Sequence, residues 1–107
     1  MTEFTLEHLQ TIIAQKADAD PQSSWTAKLL ADGPKGAAQK LGEEATETIV
    51  AALSEDKQAF IGESADLLYH WLVLAHAKGV TLEEVLAELQ SRTAQSGLAE
   101  KASRKAK

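Results

Sequence analysis

Lys40-Leu41-Gly42-Glu43-Glu44-Ala45-Thr46-Glu47, answered downstream by Glu63-Ser64-Ala65-Asp66-Leu67-Leu68-Tyr69-His70, decides the reading of this chain. Both stretches are predicted to be helical. Residues three and four apart share a helix face, so Glu44 and Glu47 point one way, and Glu63, Asp66 and His70 point together. Residues 48–62 suffice to finish one helix, turn and begin an antiparallel one. Glu47 and Glu63 can then lie at similar heights on facing helices. Carboxylates that converge repel unless a cation lies between them, and all-oxygen donors suit Mg²⁺ or Mn²⁺. The pattern predicts a divalent-metal site inside a helical bundle, used on a phosphate-bearing substrate. The competing reading is a set of solvated helix-face charges, the usual fate of Glu. Against it stand the strongly apolar flanks and Asp66, a weak helix former placed in mid-helix beside Leu67 and Leu68.

Outward from this pair, the chain reads as helices separated by turn formers. Thr5 can cap a first helix with Leu6, Leu9, Ile12 and Ile13 as its apolar stripe, fading near Ala17. Residues 18–24 form a loop. A short helix runs from Ser24 or Trp25 to Ala31, and Asp32-Gly33-Pro34 breaks it. Pro34 fits the first turn of the next helix, which reaches about Leu53. Leu41, Ala45, Ile49 and Ala52 are expected to form its core face, with Lys40, Glu43, Glu44, Glu47 and Ala51 on a neighbouring one. Ser54 is the expected cap of a further helix from about Asp56 to Lys78. That helix is apolar nearly all round from Leu67 to Ala75, which predicts a central position or burial by a partner. Gly79 suits its C-terminus. Thr81 and Glu84 fit a capping box for a last helix to about Thr93, with Leu82, Val85, Leu86 and Leu89 expected to be buried. A basic tail over 98–107 follows.

Composition narrows the classes. The chain of 107 residues reads as one all-α domain, four to five helices in a bundle. So short a chain buries a modest core, and together with the apolar helix this predicts a homodimer. A net charge of −5 argues against a nucleic-acid surface. An acidic protein that handles phosphates needs a metal to reverse the local sign. No cysteine is present, which excludes disulfides, thiolate metal sites and a cysteine nucleophile. No signal peptide is visible and no apolar run can span a bilayer, so a soluble cytoplasmic protein is expected, with no membrane partner.

Trp25-Thr26-Ala27-Lys28-Leu29-Leu30, the block Gly36 to Glu47, the run Glu63 to His70 and the segments Arg92 to Gly97 and Glu100 to Arg104 together carry a resemblance. The chain resembles the all-α, MazG-like nucleotide pyrophosphohydrolase superfamily. Within it, the chain is similar to the phosphoribosyl-ATP pyrophosphohydrolase family of histidine biosynthesis. The paired carboxylates point only to the superfamily; Lys40 to Glu44, Asp66 to His70 and the tail point to the family. Trp25 departs from the tyrosine more often expected there.

The resemblance implies hydrolysis of phosphoribosyl-ATP to phosphoribosyl-AMP and pyrophosphate, the second step of the pathway. Mg²⁺, with Mn²⁺ as a substitute, is the implied cofactor, and Glu44, Glu47, Glu63 and Asp66 are the implied ligands. Glu43 is a candidate outer group or the base that orients water. Lys28 and Lys40 are candidate substrate contacts. Arg92, Lys101 and Arg104 could hold the ribose 5-phosphate that phosphoribosyl-ATP carries besides its triphosphate, because guanidinium matches phosphate bidentately. His70 could support Asp66 or be a buried histidine satisfied by a hydrogen bond. Contact with the cyclohydrolase that would use the product is a further expectation. The alternatives are a housekeeping nucleoside triphosphate pyrophosphohydrolase, which could use the same metal site, and a noncatalytic helical dimer.

Overall fold

Small polar side chains set most of the helix starts. Thr5, Ser24, Asp56 and Thr81 each accept a hydrogen bond from the backbone N–H three residues on, satisfying a donor that the first turn leaves open. A computed structural model describes residues 3–93. Among them are five helices and no strand: α1 Leu6–Lys16, α2 Trp25–Ala31, α3 Pro34–Ser54, α4 Lys57–Ala77 and α5 Leu82–Arg92. Gly33 enters α3 with φ 70°, and Pro34 takes the first helical position. Gly79, at φ 71°, makes the left-handed turn after α4. The Thr81–Glu84 capping box forms as expected. The predicted tail assignments, Lys101 and Arg104 included, lie outside the described residues.

The fold is organised on the α3–α4 hairpin, the most extensive helix pair. Each of these helices has 21 residues, or roughly 31 Å of length. α1 packs on α4, α2 on α3 and α4, and α5 chiefly on α1. Gln10 joins α1 to the start of α5: its Oε1 accepts from the Leu82 N–H at 2.7 Å, and its amide donates to Glu83 at 3.1 Å. The core gathers at one half of the hairpin, where Ile13, Leu29, Ala37, Leu72, Val73 and Leu82 meet. Among the described helices, none is long and apolar enough to cross a membrane.

Three local expectations are corrected. The inward face of α3 carries Ala37, Glu44, Thr48 and Ala51, whereas of the expected core face Leu41 and Ala45 are only half-buried, Ala52 is exposed and Ile49 is 61% exposed. Small residues let α4 approach α3 on the carboxylate side, and the larger apolar stripe is left outside. Asp56, not Ser54, caps α4; the Ser54 hydroxyl donates back to the Val50 carbonyl at 2.7 Å. On α5 only Leu82 is buried, while Val85 is half-buried and Leu86 and Leu89 are open.

Candidate active site

The close approach of α3 and α4 builds the site. Thr48, one turn after Glu44, is buried between the helices. Its hydroxyl lies 2.7 Å from the Glu44 carbonyl and 3.1 Å from the Glu63 carbonyl. That hydroxyl fixes the level of Glu63 against Glu44. Asp66 follows one turn further along α4. Carboxylate oxygens of Glu44, Glu63 and Asp66 lie within 4.8 Å of one another. Glu44 is buried, Glu63 half-buried and Asp66 exposed.

The charge balance in this cluster is unfavourable without a cation. Glu44 Oε2 and Glu63 Oε2 are buried and have no hydrogen-bond partner among the described residues. Buried polar atoms are nearly always satisfied, so two unpartnered acceptors in one cluster need explaining. Burial raises the Glu63 pKa first. A hydrogen bond with Glu47 and the charges of Glu47, Glu44 and Asp66 raise it further. Glu47 thus stands beside Glu63, at the edge of the trio. Oxygen donors alone, in this number and spacing, fit a hard divalent cation of the Mg²⁺ or Mn²⁺ type.

Lys40 answers part of the charge. Its Nζ lies 3.5 Å from Glu44 and 3.6 Å from Glu43. Burial works against its charge, but Glu44 above all, then Glu43, outweighs this and raises its pKa. Lys40 therefore rests on carboxylates. Glu43 is on the open side of α3, within 3.5 Å of the Gln39 amide. His70 is buried one turn past Asp66, with Nδ1 2.7 Å from the Asp66 carbonyl. A carbonyl can only accept, so Nδ1 carries the proton. His70 is thus a buried histidine with one hydrogen bond, to the Asp66 backbone and not to its carboxylate, while its Nε2 is buried without a partner among the described residues.

The structure brings Lys40, Glu43, Glu44, Glu47, Glu63 and Asp66 together on one hairpin. Arg92 is on α5 and pairs with Glu88 at 3.0 Å. Lys28 lies on α2, its Nζ 5.9 Å from the centre of the Trp25 ring. Sequence reasoning missed Thr48. Its only signal was a residue that favours turns and caps, set four positions after Glu44 within a helix.

The sequence matches known proteins. A family model described as phosphoribosyl-ATP pyrophosphohydrolase matches residues 6–93. Two proteins named phosphoribosyl-ATP pyrophosphatase, from Sinorhizobium medicae (strain WSM419) and Rhizobium meliloti (strain 1021), are each 55% identical over 104 residues. Each match covers 97% of this chain and 97% of the relative. The chain belongs to the phosphoribosyl-ATP pyrophosphohydrolase family.

Proposed function

We infer that this protein is a hydrolase that converts phosphoribosyl-ATP to phosphoribosyl-AMP and pyrophosphate, the second step of histidine biosynthesis. The observation that carries the chemistry is the pair of buried, unpartnered oxygens of Glu44 and Glu63, on facing helices and joined by Asp66. These three residues, with Glu47 beside them, would hold Mg²⁺, or Mn²⁺ in its place. When bound, such an ion neutralises phosphate oxygens and stabilises a leaving pyrophosphate.

The chain's own residues supply the rest. Water adds to phosphorus while the anhydride bond between the α and β phosphates breaks, and pyrophosphate leaves with the bonding electrons. The water's proton passes to the Glu43 carboxylate, which stands open on α3 next to Glu44. Lys40 exchanges its carboxylate partners for a phosphate oxygen as the substrate arrives. Lys28 reaches the substrate from α2. For the ribose 5-phosphate, the resemblance suggests Arg92, Lys101 and Arg104; of these Arg92 pairs with Glu88 on α5, and the other two lie outside the described residues. The protein works as a cytoplasmic homodimer that hands its product to a cyclohydrolase. The open apolar residues Ile49, Leu53, Phe60 and Ile61 at the turn end of the hairpin support the dimer.

The test is pyrophosphate release from phosphoribosyl-ATP with and without Mg²⁺, beside ATP and dATP. Metal-dependent release from phosphoribosyl-ATP alone is expected. Faster release from the ordinary triphosphates would make this a housekeeping enzyme, and no release from any of them would remove the enzyme assignment.

A further inference from the structure

Trp25 opens α2 with 51% of its surface exposed. A single open aromatic residue proves little, but three further features surround this one. Lys28 is held over the ring at a cation–π distance. Toward α1 and α4, the ring lines a groove of about 440 Å³ whose walls include Leu9, Ile12, Lys16 and Tyr69. That volume falls in the range of sites that hold small organic ligands. Neither Lys16 nor Lys28 forms an ion pair with a described residue, although the chain carries a net charge of −5.

The groove is tied to the carboxylate site by rigid parts. Tyr69, which lines the groove, lies three residues after Asp66, about one turn along α4 from the carboxylate cluster. The Tyr69 and Thr26 hydroxyls are hydrogen-bonded, which fixes α2, and with it Trp25, against α4. A flat apolar surface, an aliphatic wall opposite and a cation at the rim suit a purine that bears a separate anionic group. A substrate whose triphosphate lies on Glu44, Glu63 and Asp66 has its base and sugars beyond the phosphates. The groove begins one helical turn away.

We propose that this groove receives the purine of the substrate against Trp25 and that Lys16 meets the phosphate of its second ribose. The assignment rests on the phosphoribosyl-ATP reading above. It gives the protein a means of telling this substrate from ordinary triphosphates within the described residues.

The test titrates phosphoribosyl-AMP, with AMP beside it, into the full-length protein in EDTA and follows the heat. The wild type is expected to bind phosphoribosyl-AMP more tightly than AMP. Trp25→Leu weakens both by roughly tenfold, the scale of one base–aromatic stack, and Trp25→Phe restores most of the loss. Lys16→Met weakens phosphoribosyl-AMP several-fold and leaves AMP unchanged. Trp25 is half open to solvent, so these variants are expected to fold, and their melting curves check it. Wild-type affinity in Trp25→Leu overturns the base site, as does a wild type that binds neither nucleotide. Equal weakening of both nucleotides by Lys16→Met overturns the phosphate assignment. A wild type that hydrolyses phosphoribosyl-ATP while Trp25→Leu binds normally removes the groove and keeps the reaction. One that does not hydrolyse it, yet loses AMP on Trp25→Leu, removes the reaction and keeps the base site.

Discussion

Glu63 faces two opposing demands. Its backbone is fixed against Thr48, while its carboxyl is half-buried among Glu47, Glu44 and Asp66. Burial first, then these neighbours, raises its pKa above the ordinary value of a glutamate. The folded state therefore binds a proton here more tightly than the unfolded chain. Stability from this group is fully present below the unfolded pKa and is lost as pH rises through the folded one. In EDTA, the melting temperature of the wild type relative to Glu63→Gln should fall as pH rises from the acid side through the raised pKa. Mg²⁺ favours the ionised form, so its stabilising effect should be large at neutral pH and fade on acidification. Thermal melts of both proteins across pH, with and without Mg²⁺, measure this. A difference between them that does not change with pH would contradict the placement of Glu63 in a crowded carboxylate cluster.

At the scale of the element, the Thr48 hydroxyl ties α3 to α4, its one proton shared between the Glu44 carbonyl of its own helix and the Glu63 carbonyl of the facing one. Valine has nearly the shape of threonine but lacks the hydroxyl. Thr48→Val is expected to cost about 1 kcal/mol of stability, the net worth of an ordinary hydrogen bond. It should also weaken Mg²⁺ binding, since Glu44 and Glu63 lose their shared reference point, whereas Thr48→Ser should keep the metal affinity near wild type. Calorimetric Mg²⁺ titration of the two variants decides it, and unchanged affinity in Thr48→Val would reduce the residue to packing. The same scale explains the misplaced core face of α3. Leu41, Ala45, Ile49 and Ala52 have helical spacing and apolar character, but the face that is buried carries Ala37, Glu44, Thr48 and Ala51. Periodicity identifies a stripe but not the neighbour that meets it, and here α4 takes the side with the smaller residues.

For the whole molecule, the open residues at the turn end of the hairpin matter most. Ile49, Leu53, Phe60 and Ile61 stand away from the core, which sits at the other half of α3 and α4. A domain this small gains from covering such a surface with a second copy. Sedimentation is expected to give a dimer for the wild type. Leu53→Asp, at a position 83% exposed within one chain, should shift it to monomer and lower its melting temperature. A wild-type monomer would remove the dimer from the proposal.

The sequence by itself determined the five helices, because capping residues, Pro34 and Gly79 act locally, within a turn of the helix ends they define. It also pointed to the hairpin on which Glu44, Glu63 and Asp66 come within reach of one another, with Glu47 beside Glu63, since helical spacing and a hairpin-length connection leave little freedom between them. Only the tertiary structure decided which side of α3 turns inward, that Thr48 spans the two helices, that Lys40 rests on Glu44 and that Trp25 opens onto a groove shared with α1 and α4. Those outcomes depend on how closely one helix can approach another. Side-chain size across the interface sets that distance, and no stretch of one helix contains it.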